Sequence, residues 1–302
     1  MTQDFSTVFN SLGQNIGQER DMDETARSAA HFVRQLRPPV VGAMHITCCD
    51  QAEYEVAESF QRWFINEMLP SYKYATKSAF RSATLGAHYQ WGAVRIAESH
   101  FTHADRGHPF KVFVVKINTH VSMIDDHGQV RFGYMSRFNS TEDSTFCGAL
   151  HALLDDADLP FLPPIEEMFA SEGKDRLAAL RDPERVAPGL RGLFAAVTAA
   201  RLEARRVMLD IQDHHPGSPT LYLILPCVSI NRKSRDTEIL CGYYEADYLT
   251  PDTCRENYSG LGDDPAAYRL NREKGRLHIE DDSTGPVRAA RDHRSLVLET
   301  WE

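Results

Sequence analysis

Four residues in this sequence combine chemistry with telling positions. Cys48 and Asp50 stand two apart in Gly42-Ala43-Met44-His45-Ile46-Thr47-Cys48-Cys49-Asp50, where an apolar run ends and a helix-patterned stretch begins. His120 follows the apolar run Lys111 to Thr119, and Cys147 opens the helix-patterned stretch Phe146 to Leu154. Two thiolates and an imidazole suit Zn²⁺, and three protein ligands leave a fourth position for water, the form taken by catalytic rather than structural zinc sites. The same residues could instead form a metal-free hydrolase site, with Cys48 or Cys147 as nucleophile and His120 as base. The spacing contains no local C-x-x-C pair. On residue types alone the blander reading stands ahead: two buried thiols packed as small hydrophobes and a hydrogen-bonded strand-end histidine. Cys49 points away from Cys48 if the strand persists, because strand side chains alternate. His45 reads as packed or hydrogen-bonded within its strand, and Cys227, after Pro226, as core.

The elements that must position these residues follow from periodicity. The run from Val40 reads as a buried strand, and Gln51 to Leu69 as an amphipathic helix with Tyr54, Ala57, Phe60, Phe64 and Met68 on its apolar face. In an open α/β sheet, ligands bind at the carboxyl ends of the strands, where Cys48 stands. A first helix runs from a cap at Asp23 or Thr25 to Gln35 and is ended by Pro38-Pro39. Ser71 to Ala97 reads as loops with a short strand near Ala93–Ile96, and the crowd of His100, His103, Asp105, Arg106 and His108 as a solvated turn. The second clear strand, Lys111 to Thr119, ends at His120, with Val121 to Ile124 continuing it as an edge. Asp125-Asp126-His127-Gly128 makes a hairpin turn to a return strand over Gln129 to Met135. Ser136 to Thr145 reads as a polar loop. Ser144 or Thr145 would cap the next helix and put Cys147 in its first turn, where the partial positive charge favours a thiolate. Residues 158–190 form a proline-rich connector with a short helix around Lys174–Leu180. Leu190 to Ile211 reads as a long helix, Leu221 to Ile230 as a buried strand and Thr237 to Tyr244 as its hairpin partner. The expected fold is therefore α/β: a partly parallel sheet with antiparallel edges contributed by the hairpins at 111–135 and 221–244.

The chain has 302 residues, enough for one large domain and a sizeable core. Its formal net charge of −10 would repel phosphate backbones, so nucleic acid is not an expected partner. No apolar run reaches the roughly 18–20 residues needed to span a bilayer, so no membrane is expected. Met1 to Gly17 lacks an apolar signal core. Six cysteines are spread with no disulfide framework, which fits a reducing cytoplasm.

Three of these stretches carry a resemblance: Ile46-Thr47-Cys48-Cys49-Asp50, the strand Val112 to Thr119 with His120 and then Ile124-Asp125, and Cys147-Gly148-Ala149-Leu150. In order and wording they resemble the limiting-CO₂-inducible B/C family of β-carbonic-anhydrase-like zinc proteins, over about residues 30 to 250. The Asp182-Pro183-Glu184 region and the strand pair near 221–244 fit the same layout. The resemblance implies a β-carbonic-anhydrase-like mixed sheet with a mainly parallel core flanked by helices. It implies an N-terminal arm over 1–25, a zinc domain over 26–255 and a C-terminal extension over 256–302. It further implies that Cys48, His120 and Cys147 hold Zn²⁺, that CO₂ and bicarbonate are the substrates, and that the chain forms a homodimer or higher homo-oligomer. Asp50 falls at the aspartate of the Cys-x-Asp-x-Arg pattern of β-carbonic anhydrases, where it is the catalytic carboxylate that orients the attacking water. The sequence departs from the pattern in one respect: Ala52 stands where that arginine is expected. Arg81 or Arg137, both in expected loops, would have to restrain Asp50 instead; without a partner the carboxylate would close the site as a fourth ligand. A silent zinc-binding homologue acting as sensor or scaffold is the alternative that this substitution raises. Phe80, Tyr89 and Phe146 are candidates for the wall of a small apolar pocket for CO₂.

Overall fold

The computed structural model describes residues 19–20, 40–50, 53–64, 78–104, 111–126, 129–132, 134–136, 143–145, 191–212, 220–231, 237–241, 244–247, 287–289 and 298–300, with positions 27, 30, 33, 66, 147 and 150 beside them. Its centre is four parallel strands in the order β8 (Thr220–Asn231), β4 (Lys111–Asp126), β2 (Val40–Cys48) and β3 (Phe80–Thr84). On the far side of β8 run two antiparallel strands, β10 (Tyr244–Asp247) against Leu221–Ile224 and β9 (Thr237–Leu240) against Cys227–Ile230, so Pro226 lies in the gap between the two pairings. The short strand β1 (Glu19–Arg20) pairs with β9. A hairpin return, β5 (Gln129–Phe132), pairs with the end of β4. Two further small pairs stand apart from this sheet: β6 (Tyr134–Ser136) with β7 (Asp143–Thr145), and β11 (Val287–Ala289) with β12 (Leu298–Thr300). The mixed α/β sheet with a parallel core and antiparallel edges is the architecture expected from the sequence.

Helices cover both faces, which is why the middle strands β2, β4 and β8 are largely buried and rich in apolar residues. One face packs Met44, Ile46, Phe113, Val115, Ile117, Tyr222 and Ile224 against helices α2 (Ala93–Ala104) and α3 (Arg191–Gln212) through Val94, Ala97, Ala204, Val207, Met208 and Ile211. Two buried carboxylates of α3 clamp the segment before α2. Glu203 accepts from the backbone N–H of Tyr89 at 2.7 Å and pairs with His88 at 3.1 Å; Asp210 accepts from the Tyr89 hydroxyl, from Gly92 N–H at 2.8 Å, and pairs with Arg95 at 2.9 Å. At φ +88, Gly92 makes the bend that lets this segment turn into α2 without strain.

The opposite face carries the helix α1 (Tyr54–Trp63). Val56, Ala57, Phe60, Trp63 and Phe64 are buried there, while Tyr54, expected on the apolar face, is exposed and bonds Glu58. Under α1 the sheet is polar. The Phe60 ring lies 4.6 Å from His45 and 5.5 Å from the Lys116 ammonium. Lys116 pairs with Glu238 at 2.5 Å, and Asn118 bonds His45 (3.2 Å), Ser229 (2.6 Å) and Glu238 (2.9 Å), all of these side chains being buried. As expected, His45 is packed and hydrogen-bonded, and Cys227 is core.

Several local expectations are corrected. Residues 80–84 form a strand at the edge of the described sheet and 93–104 a helix, where loops and a short strand were expected; among the described residues β3 pairs on one edge only, and it alternates half-buried with exposed, so it lacks an apolar run. His100 and His103 belong to α2 rather than to a turn; 105–110 lie outside the described residues. β4 runs past His120 through the expected continuation to Ile124 and on to Asp126, so Asp125 and Asp126, expected in the turn, pair with β5 instead. The return strand stops at Phe132. Ser144 and Thr145 lie in β7, not in a helix cap, because the stretch expected as a polar loop contains a three-residue hairpin strand. The connector 158–190 lies outside the described residues. No helix among the described residues is long and apolar enough to cross a membrane.

Candidate metal centre

The geometry of the centre follows from strand lengths. In register, Thr47 of β2 lies beside Asn118 of β4, and β2 ends one residue later at Cys48. β4 continues, held on its other side by β8 with His120 beside Ser229 and Ser122 beside Asn231. His120 therefore stands just past the level where its neighbour stops, and the space above the end of β2 is open to it. Cys147 arrives from a third segment, in which the Leu150 N–H bonds the Cys147 carbonyl at 3.0 Å. Its φ of 29 lies in the left-handed region, a backbone placement that costs a non-glycine residue on the order of 1–3 kcal/mol and gathers at functional sites.

The ligand atoms of Cys48, His120 and Cys147 all lie within 4.8 Å of one another, and all three residues are buried. The two sulfurs are 3.8 Å apart. Two Zn–S bonds of about 2.3 Å at a tetrahedral angle would span about 3.8 Å, so the thiols already stand at the spacing that one zinc ion requires. A disulfide, at about 2.05 Å, would need them to close by nearly half. The sequence brought these three residues together on types and positions; the structure brings them together in space.

The surroundings favour a charged sulfur. The Cys48 thiol is held down to about 4, first by its hydrogen bond with Cys147 and then by His120, against the opposing effect of burial. The Gly86 N–H points at the same sulfur from 3.3 Å, delivered by the turn Leu85–Ala87, in which both Gly86 and Ala87 have positive φ. Burial opposes a charged His120, but its hydrogen bond with Cys48, the Glu53 carboxylate and Asn231 outweigh this and raise it to about 9. Without a metal the pair is thus thiolate and imidazolium; a metal would take the place of the shared proton. His120 Nδ1 donates to Asn231 Oδ1 at 3.0 Å, leaving Nε2 as the ligating nitrogen.

Asp50 lies at the rim. Its carboxylate is 3.9 Å from His120 Nε2 and 40% exposed, whereas His120 is 1% exposed, so Asp50 stands between the buried cluster and solvent. Its carbonyl accepts the Glu53 N–H at 3.0 Å, closing the turn into α1. Ala52 and Arg137 lie outside the described residues, and Arg81 sits on β3 beside His45 in register. Of the expected pocket walls, Tyr89 is core, bonded to Asp210, and Phe80 packs against the same core; Phe146 lies outside the described residues.

Sequence reasoning missed two residues behind His120, Asn231 and Glu53. Glu53 is fully buried at the start of α1, and burial, foremost, pushes it up to about 8. Its carboxyl group accepts from Ser229 at 3.4 Å. The available signal was the polar pair Asn231 and Ser229 within an otherwise apolar run.

No protein-family model matches this sequence, and no curated protein does. Among solved structures the chain is similar to PtLCIB4, a homologue of the limiting CO₂-inducible protein LCIB, at 12% identity and a TM-score of 0.55, covering 80% of this chain and 96% of that one. It is similar also to a histidine-to-alanine mutant of PtLCIB4, at 12% identity and a TM-score of 0.53, covering 81% of this chain and 95% of that one. The shared property at this identity is the fold, over nearly the whole length of the neighbour.

Proposed function

We propose that this protein is a zinc-dependent enzyme of reversible CO₂ hydration, with Cys48, His120 and Cys147 as the metal ligands and Asp50 as the catalytic carboxylate. The observation that carries the reading is the cluster itself: three buried ligand atoms within 4.8 Å, with two thiols at the spacing zinc requires. The fold is that of a homologue of a limiting CO₂-inducible protein, which points to inorganic carbon as the substrate. Zinc in such a site lowers the pKa of its bound water to near neutrality and so supplies a hydroxide nucleophile. The chain's own residues do the rest. Cys48, His120 and Cys147 would hold the ion as two thiolates and a neutral imidazole, Gly86 N–H steadies the Cys48 sulfur, and Asp50, at the solvent side, would accept a hydrogen bond from the attacking group and orient it.

A second reading rests on Ala52 and on the approach of Asp50 to within 3.9 Å of His120 Nε2. Without a fixed arginine, Asp50 would swing in as the fourth ligand, and the protein would be a zinc-bound sensor or scaffold. Stopped-flow CO₂ hydration by zinc-loaded protein separates the two. Activity that falls about 100-fold or more in Asp50→Ala, within the range that general acid–base groups contribute, supports the enzyme. Zinc without activity, with activity gained on Ala52→Arg, supports the closed site.

A further inference from the structure

Among the described residues, Ala87 and Cys147 are the two non-glycine residues with positive φ, and both belong to segments that reach the Cys48 sulfur. Cys147 is itself a candidate ligand. Ala87 is not, so its strain needs a separate reason. It is the second central residue of a tight turn from Leu85 to His88, closed by the His88 N–H on the Leu85 carbonyl at 3.2 Å. With Gly86 at φ 65 and Ala87 at φ 58, this is a type I′ turn. The left-handed region disfavours alanine, and such a placement persists only where the surroundings over-determine it.

Three features over-determine this one. The Ala87 side chain is fully buried, in the core cluster that holds Met44, Ile46 and Tyr89. The Thr84 hydroxyl donates to the His88 carbonyl at 2.6 Å. Glu203 of α3 accepts from the Tyr89 N–H at 2.7 Å with one oxygen, and its other oxygen lies 3.1 Å from His88 Nδ1. The closing bond of such a turn uses neither central N–H. The Gly86 N–H is buried and must find its acceptor elsewhere; the acceptor it meets is the Cys48 sulfur, at 3.3 Å. The Thr84 carbonyl takes the Cys49 N–H at 2.9 Å, so the same strand end also grips the backbone beside Cys48.

We propose that Thr84 and Glu203 are positioning residues of the metal centre: they hold the strained turn that aims the Gly86 N–H at the Cys48 sulfur. Glu203 bonds His88, Tyr89 and Arg206 and none of the three candidate ligands, so it acts only through the turn. A hydrogen bond to a ligating thiolate stabilises its charge and fixes its direction, and hydrogen-bond partners of ligands typically set metal affinity by about 10–100-fold. The affinity step rests on Cys48 being a zinc ligand; the positioning step is testable without metal.

Four variants test it. Glu203→Leu removes both acceptors, and Thr84→Val removes the hydroxyl while keeping the strand. Glu203→Gln is the conservative control, because its amide oxygen can take the Tyr89 N–H while its NH₂ faces His88. Tyr89→Phe is the structural control: it cuts the bond to Asp210 in the same segment and leaves both pins of the turn in place. In metal-free protein, hydrogen exchange at the Gly86 amide, measured against the core amide of Val115, should speed up about tenfold or more in Glu203→Leu and Thr84→Val and hold steady in the two controls. In ¹¹³Cd-loaded protein the Gly86 amide proton should show scalar coupling to the metal through the N–H···S bond, lost in the first pair and kept in the second. Zinc affinity, by competition with a chromophoric chelator, should fall about 10–100-fold in the first pair and stay within a few-fold in the controls. Should Glu203→Leu not fold, Glu203→Asp, which withdraws the carboxylate by one methylene, takes its place with the same expectation. Unchanged Gly86 exchange and metal affinity in the first pair, or a Tyr89→Phe that moves them as far, overturns the proposal. If the wild type takes up neither ion, the zinc reading falls and the exchange pattern alone decides the positioning role.

Discussion

The Lys116–Glu238 pair is the sharpest test of the polar layer that lies under α1. Both side chains are nearly or fully buried, the charges are 2.5 Å apart, and Glu238 also accepts from Asn118 at 2.9 Å. Burial disfavours a charged Lys116, yet its pKa is raised, because the Glu238 charge outweighs that cost. Removing one partner strands the other charge in a medium that cannot solvate it, at a cost of about 3–5 kcal/mol. Removing both leaves no charge and should cost far less. Lys116→Met keeps the stem packed beside Phe60. Glu238→Gln keeps an oxygen for Asn118. Each single should therefore lose about 3–5 kcal/mol, while the double should lose only about 1–3 kcal/mol, the cost of unmatched neutral groups. The coupling energy would then be several kcal/mol, against the few tenths expected for independent sites. Urea denaturation of the four proteins at pH 7, without zinc, measures it. Additive losses, with the double about twice as destabilised as either single, would refute the account of this layer as a paired charge network.

Three further outcomes follow from the same geometry. Cys147→Ser should weaken zinc binding by more than about 100-fold, since even indirect partners of ligands cost about 10–100-fold, and chelator competition reads it directly; an unchanged affinity removes Cys147 from the ligand set. Glu53, pushed up to about 8 by burial, keeps in the folded state a proton that the unfolded chain releases near its ordinary value of 4.5. Wild-type stability relative to Glu53→Gln should therefore decline as pH rises from about 5 to 8, by up to about 1.4 kcal/mol per pH unit, in metal-free protein; parallel pH curves would contradict it. Tyr89→Phe removes the donor to Asp210 and the acceptor of the Val94 N–H at 3.1 Å, so it should cost about 1–3 kcal/mol of stability. Because the Tyr89 hydroxyl bonds Asp210 and Val94 and none of the three ligand residues, calorimetric zinc affinity should stay within a few-fold; a large loss would mean that the Asp210 clamp also holds the turn that carries Gly86.

What was legible in the sequence was whatever periodicity and chemical type can encode. The long apolar runs at 40–48, 111–119 and 221–230 are strands buried on both faces, and the 3.6-residue pattern of 190–211 is a helix to within one residue at either end. The ligand triad was legible because thiols and a histidine at element boundaries are few. The continuation of β4 past His120 was legible to Ile124; that it reaches Asp126 depends on partners supplied by β8 as far as Asn231 and then by β5. The edge strand Phe80–Thr84 and the hairpin of β6 and β7 escaped because short or half-exposed strands carry polar residues without a run. The helix Ala93–Ala104 escaped because its buried polar contacts, Arg95 to Asp210 and Lys111 to Glu98, are long-range pairings that local pattern cannot show. Glu53 and Asn231 were missed for the same reason: each looks like an ordinary cap or strand-end residue until the third dimension joins them to His120.

The central claim is that one metal ion sits between Cys48, His120 and Cys147. X-ray absorption at the zinc edge of protein loaded with one equivalent of Zn²⁺ tests it most directly. The account predicts two sulfurs at about 2.3 Å, one imidazole nitrogen at about 2.0 Å and one further light atom, with one sulfur lost in Cys147→Ser. A shell of four sulfurs, or one of nitrogen and oxygen alone, would contradict it.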